Sequence, residues 1–227
     1  MSLHIPKVLS DELVYKLVNA LSIADWHSGK VTAGTQAAQT KNNYQLDENS
    51  PLAAQLRQIV LQALSQNAEF FSAVLPKHIY PPLFNRYQNQ HNSFGNHVDN
   101  AIRTHAASAQ HLRTDISFTL FLSDPNTYTG GELIIEDGYP SQSIKLAAGD
   151  LIVYPSYVLH RVEPVTQGVR YACVSWVQSM VRESQQRTVL YELDCVIASL
   201  RQTHGESAEA ILLTQNYHNL LRMWANI

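Results

Sequence analysis

Two kinds of hydrophobic spacing alternate along the chain. Leu13, Val14, Leu17, Val18 and Leu21 share one face of a 3.6-residue repeat, preceded by Ser10 as an N-cap and by Asp11 and Glu12, which complement the helix dipole. This predicts an amphipathic helix. A polar stretch containing Gly and Gln follows through Leu46. Ser50-Pro51 then supplies an N-cap and an N1 proline, and Leu52, Leu56, Ile59, Val60, Ala63 and Leu64 continue at helical spacing. From about Phe70 to Ser179 the runs become short, apolar or alternating, which predicts strands: Ile116–Leu122, Glu132–Glu136, Ser143–Leu146, Leu151–Tyr154, His160–Pro164 and Arg170–Gln178. Turn signals separate them at Asp124-Pro125, Gly130-Gly131, Asp137-Gly138, Gly149-Asp150 and Gln167-Gly168. Beyond Met180 helical spacing returns. Val189, Leu190, Leu193, Val196, Ile197 and Leu200 form one face, and Ile211, Leu212, Leu220, Leu221 and Trp224 another, with Gly205 ending the first helix and Ser207 capping the second.

This order of elements predicts an α+β, mainly β, chain: a double-stranded β-helix (jelly roll) core with helices on either side in sequence. A doubly wound parallel sheet would need helices between the strands, and the pattern has none there. The expected divisions are a helical and strand support over 1–77, the jelly-roll core over 78–180, and a C-terminal helical appendage over 181–227.

Composition narrows the functional class. At 45% hydrophobic and 15% charged over 227 residues, the chain has enough apolar material for one substantial core and a buried site. A net charge of -3 offers no case for nucleic acid. Two cysteines, Cys173 and Cys195, do not make a disulfide framework, and free thiols fit a reducing compartment. The N-terminus lacks the basic and apolar regions of a secretory signal, and no run of about 18 apolar residues occurs. The expectation is a cytoplasmic protein with no membrane association.

The candidate chemistry lies in His97-Val98-Asp99, His160 and Arg170. In a strand, residues two apart share a face, so His97 and Asp99 can grip one cation with Val98 packed behind them, and His160 is the best third ligand. Two imidazoles and a carboxylate leave positions open on a metal, as in non-haem Fe(II) oxygenases, though Zn and Mn accept the same donors. On the strand Arg170–Gln178 both faces are largely apolar. Arg170 therefore enters a buried environment with no acidic residue nearby in sequence, and a ligand carboxylate is its natural partner. His91, His105 and His111 compete as ligands, but none has a carboxylate two residues away. The segment Asn100–Leu112, with Arg103, reads as a solvated connection, and Gly130-Gly131 as a source of turn φ values.

With His97-Val98-Asp99, Tyr128-Thr129-Gly130-Gly131-Glu132-Leu133, Gly149-Asp150, His160 and Arg170 in this order, the chain resembles the prolyl-4-hydroxylase-like branch of Fe(II)- and 2-oxoglutarate-dependent dioxygenases, and more closely the bacterial PKHD-type hydroxylases. The resemblance spans nearly the whole chain. It implies His97, Asp99 and His160 as iron ligands, Arg170 as the residue that binds the distal carboxylate of 2-oxoglutarate, and Tyr87 as a contact to the same co-substrate. An intact Asp99 implies hydroxylation, because related halogenases replace that carboxylate with a small residue. It further implies O2 as a reactant, release of succinate and CO2, and L-ascorbate as a reductant. The alternative reading of the residues is a non-oxygenase cupin-like metal-binding barrel, a sensor or a Zn/Mn enzyme. The substrate is not encoded legibly, and the apolar faces of the terminal helices suggest a homodimer.

Overall fold

The computed structural model describes residues 2–32, 36–104 and 109–227. An eight-stranded antiparallel sheet runs in the order Leu3–Ile5, Leu151–Pro155, Ile116–Phe121, Arg170–Ser179, Leu83–Tyr87, Tyr44–Leu46, Trp26–Ser28, with Pro76–Ile79 also pairing to Arg170–Ser179. A second, five-stranded sheet runs Gln142–Ile144, Leu133–Ile135, His160–Val162, Ser93–His97, Lys41–Asn42. Alternation sorts the side chains between them. On Ile116–Phe121, Ile116, Phe118 and Leu120 pack toward the helices, while Phe121 joins Tyr87, Ile152 and Tyr154 against Leu133, Ile135 and Val162 of the smaller sheet.

The helices cover the outer face of the large sheet. Asp11–Ser22 buries Leu17 and Leu21, and Pro51–Ser65 buries Leu56, Val60 and Leu64 against Phe84, Leu151, Val153 and Cys173. Ser10 and Ser50 accept from the backbone N–H groups of Leu13 and Ala53 as the expected N-caps. At the C-terminal end Ser184–His204 stops at Gly205, and Ser207 caps Ala208–Trp224. Among the described residues no helix is long and apolar enough to cross a membrane. Cys173 is buried in the core and Cys195 exposed, both as free thiols.

Three expectations change. Ala68–Val74, where strands were expected to begin, is a helix capped by Asn67; its apolar run reads as a strand only if the cap is ignored. Val189 and Val196 face solvent, while Leu190 and Ile197 are buried. The buried stripe of Ser184–His204 is narrower than its apolar face, because the helices Ala208–Trp224 and Ala68–Val74 and the segment around Leu75 and Val181 leave Val189 and Val196 uncovered. The connection Asn100–Leu112 is partly a hairpin, Ile102–Thr104 pairing with His111–Arg113, and His105 lies outside the described residues.

Candidate metal centre

Strand register builds the site. His160 sits directly opposite His97 in the small sheet, and Arg170 directly opposite Tyr87 in the large one. His97, Asp99 and His160 each offer a ligand atom, and these atoms all lie within 4.8 Å of one another. The two imidazoles are oriented by the same device: Nδ1 of His97 meets the Gly95 carbonyl at 2.8 Å, and Nδ1 of His160 meets the Val158 carbonyl at 2.9 Å. Because a carbonyl only accepts, each Nδ1 carries a proton, which leaves each Nε2 as the nitrogen available to a metal. Phe94 stacks on His97 at 3.5 Å, and Tyr154 meets His160 edge-on at 5.1 Å, which fixes both ring planes. Burial, reinforced by the neighbouring His160, lowers the His97 pKa, so the ring is neutral at pH 7, the form that binds metal.

Asp99 departs from the expected strand geometry. Pairing ends at His97, and Val98 is 41% exposed at the cavity mouth rather than packed behind the ligands. Asp99 is placed instead by the large sheet. The Ser117 hydroxyl donates to its Oδ2 at 2.6 Å and also bonds the Ser156 hydroxyl at 2.8 Å, and the Asp99 N–H donates to the Ser156 carbonyl. Asp99 Oδ2 then lies 3.7 Å from His160 Nε2. The sequence reading missed Ser117 and Ser156. The signal for Ser117 was a polar side chain within a fully buried strand, Ile116–Phe121, whereas Ser156 lies just past the end of Leu151–Pro155.

Arg170 is 1% exposed, its guanidinium carbon 5.1 Å from the Tyr87 ring and 5.2 Å from the Phe121 ring. Its Nε and Nη2 have no hydrogen-bond partner, nor has the hydroxyl of the buried Tyr128. Burial raises the pKa values of Tyr87 and Tyr128, partly opposed by the Arg170 charge, so both phenols stay protonated. Gly131, at φ +72°, makes this convergence possible: a Cβ there would lie 2.9 Å from Arg170 Cδ and 3.1 Å from Tyr128 Cε2. Both Gly130 and Gly131 have the positive φ expected, and Gly131 has this steric task besides. Tyr154 links the two clusters, since it packs on His160 and feels the charges of both Asp99 and Arg170.

The cavity at this site holds about 70 Å³, enough for several waters or a small organic acid. His97, Asp99, His160 and Tyr87 line it, together with Lys41 and Arg103. Lys41 is buried, and desolvation with the nearby Arg103 charge pulls its pKa down to about 8. Neither cation was foreseen here. Of the competing histidines, His91 packs on Tyr44 and His111 bonds Thr104, away from the cluster.

A model of the PKHD-type hydroxylase C-terminal domain matches residues 185–226. A PKHD-type hydroxylase of Saccharophagus degradans is 56% identical over 225 residues, 99% of each chain. The chain belongs to the PKHD-type hydroxylase family. As a hydroxylase it is an oxidoreductase, and its backbone agrees with that of known oxygenases. A 2OG-Fe(II) oxygenase family oxidoreductase from Burkholderia pseudomallei superposes with a TM-score of 0.51 at 16% identity, covering 77% of this hydroxylase and 82% of that chain. The prolyl hydroxylase of Trichoplax adhaerens, solved with a hypoxia inducible factor peptide fragment, gives 0.54 at 14% identity, with 83% and 86% covered. At such identities the likeness concerns the fold: a mixed helix and strand chain with large antiparallel sheets.

Proposed function

We propose that His97, Asp99 and His160 hold Fe(II), and that Arg170, flanked by Tyr87 and Tyr128, receives the distal carboxylate of 2-oxoglutarate. The hydroxylase is an Fe(II)- and 2-oxoglutarate-dependent dioxygenase. Bound iron and 2-oxoglutarate supply the oxidising chemistry: O2 and a substrate C–H bond become a C–OH group while 2-oxoglutarate becomes succinate and CO2. The residues present fit both groups. Two imidazoles and a carboxylate are the donor set of non-haem iron. The observation that carries the reading is the pair of orphaned donors on a fully buried Arg170, because such a charge is tolerated only where an anion completes it. A cupin-like metal barrel without 2-oxoglutarate has no use for it.

The remaining side chains position these groups. The Gly95 and Val158 carbonyls fix the imidazole tautomers, and Ser117 holds Asp99 with one oxygen bonded and the carboxylate turned toward the histidines. Tyr87 and Phe121 hold the Arg170 fork between two rings, so that it is ordered before a ligand arrives. We assign the two facing sheets to a double-stranded β-helix (jelly roll) over 78–180, supported by 1–77 and extended by the helical appendage 181–227. Ascorbate as a reductant, cytoplasmic location and a homodimer through the terminal helices belong to the same proposal; exposed Val189, Val196, Ile211 and Leu212 support the last.

The test is succinate release from 2-oxoglutarate under air with added Fe(II), alongside Fe(II) binding by calorimetry. His97→Ala and Asp99→Ala should abolish both. Retention of either binding or turnover by these variants would remove the proposed centre.

A further inference from the structure

Beyond the groups assigned to iron and 2-oxoglutarate, the same cavity carries a second, unclaimed set of polar side chains. Its walls include two cations, Lys41 and Arg103, and one acid, Asp99, which the proposed iron already engages. Lys41 comes from the edge of the small sheet, paired opposite Phe94; its ammonium lies 5.5 Å from the Phe94 ring that stacks on His97, and it donates to Gln45 Oε1 at 3.1 Å. Arg103 comes from the hairpin strand Ile102–Thr104. Its guanidinium carbon lies 3.7 Å from the Trp176 ring and 4.8 Å from the Tyr80 ring, its Nε is buried without a partner, and no acidic side chain pairs with it among the described residues.

Two further atoms of this wall are orphaned. Asn85 is 3% exposed with Oδ1 unbonded, and Trp176 is 8% exposed with Nε1 unbonded. Both side chains line the cavity. Their strands explain the placement: Asn85 follows the inward alternation Leu83, Asn85, Tyr87, and Trp176 follows Arg170, Ala172, Val174. Nothing in the fold requires them to be polar, since Leu83 and Val174, two residues away on the same strands and lining the same cavity, are apolar. The orphaned Nε of the half-buried Arg103, beside two further unsatisfied polar atoms around one space, is unfavourable unless a ligand completes them.

We infer that Lys41 and Arg103 form an anion clamp that selects a carboxylate-bearing substrate, with Asn85 and Trp176 hydrogen-bonding polar groups beside that carboxylate. The inference rests on the His97, Asp99 and His160 end of the cavity being the reacting end. The carboxylate takes the place of the acid that Arg103 lacks, and the planar guanidinium, its carbon 3.7 Å from the Trp176 ring, presents its fork to it. The C–H bond to be hydroxylated belongs to the part of the molecule extending from the clamp toward the histidines. Asn85 Oδ1 accepts, so the substrate offers an N–H or O–H near its carboxylate, as amino-acid derivatives and hydroxy acids do.

The probe is N-acetylglycinate, compared with its neutral amide, N-acetylglycinamide. Each is titrated into the full chain carrying Zn(II), with 2-oxoglutarate saturating so that Arg170 is occupied. The indole N–H resonance of Trp176, assigned by its loss in Trp176→Phe, reports binding at this wall without any turnover. The carboxylate should shift that resonance and the amide should bind at least about tenfold more weakly, the loss expected when a charged hydrogen bond is removed. Arg103→Gln and, independently, Lys41→Met should erase the preference; two variants guard against one failing to fold. Equal binding of the two probes, or a preference that survives both variants, overturns the clamp. Metal uptake by wild type, followed separately by calorimetry, distinguishes this from failure of the iron site itself: normal uptake with no carboxylate preference sinks the clamp alone.

Discussion

Replacing Arg170 with Met should change stability in opposite directions depending on whether 2-oxoglutarate is present. Without ligand the guanidinium is 1% exposed, two of its nitrogens have no partner, and the Tyr87 and Phe121 ring faces, 5.1 and 5.2 Å away, offset its charge in part. Exchanging poorly compensated buried ions for apolar side chains of similar size is neutral or stabilising by about 1–4 kcal/mol. The ligand-free variant should therefore melt no lower than wild type, and up to several degrees higher at roughly 2–4 °C per kcal/mol for a chain of this size. With 2-oxoglutarate at a hundred times its dissociation constant, wild type gains about 2.7 kcal/mol, or roughly 5–11 °C. The variant forfeits two charge-assisted hydrogen bonds of about 1.5–3 kcal/mol each, so its affinity falls by roughly two to four decades and its shift vanishes at the same concentration. Scanning calorimetry of both proteins, with and without 2-oxoglutarate, measures all four values. A variant that melts several degrees below wild type without ligand, or that keeps the wild-type shift with it, would refute the reasoning.

Three other outcomes follow from the geometry. Ser117→Ala removes the 2.6 Å bond that orients Asp99 and should weaken Fe(II) binding by about 10- to 100-fold in calorimetric titration; unchanged affinity would show that Asp99 needs no such support. Gly131→Ala should raise the 2-oxoglutarate requirement, because its methyl group would crowd Arg170 and Tyr128, whereas Gly138→Ala, also at positive φ but with nothing within 4 Å, should cost only stability. A Gly131→Ala enzyme with a normal requirement would mean that Arg170 does not need that space. Lys41 has a folded pKa of about 8 against an ordinary 10.5, so between these values the unfolded chain binds more protons, and its contribution to stability rises with pH across that window. Urea midpoints of wild type minus Lys41→Met should climb from about pH 8 to pH 10.5, and a flat difference would contradict the burial of a charged amine.

Local signals were the legible ones. Ser10, Ser50-Pro51, Gly205 and Ser207 end their helices where the residues predict, because capping depends on hydrogen bonds within a few positions. Buried strands such as Leu151–Pro155 were readable as short apolar runs between turn residues. His97 and Asp99 could be paired from their spacing, although Asp99 reaches the cluster from beyond the strand end, and the burial of Arg170 could be read from the apolar faces of its strand. What the residues did not disclose depends on contacts made far away in sequence. Asp99 is held from a strand 18 residues on, and Lys41 and Arg103 reach the cavity only once the small sheet and the hairpin have docked. Val189 and Val196 share an apolar face with Leu190 and Ile197, and periodicity cannot say how much of that face a neighbour will cover.

The histidines belong to one sheet and Arg170 to the other, so no single strand fixes the span between the clusters. That span is set by the side chains wedged between the layers, Tyr154, Leu133 and Val162 among them. The interior filling of this hydroxylase thus works as a calibrated spacer. A substitution such as Leu133→Ala should let the layers settle and detune the reach from carboxylate anchor to ligand set, in a protein that otherwise still folds. Evolution of co-substrate length preference in such a scaffold would then proceed through apolar residues that touch neither ligand.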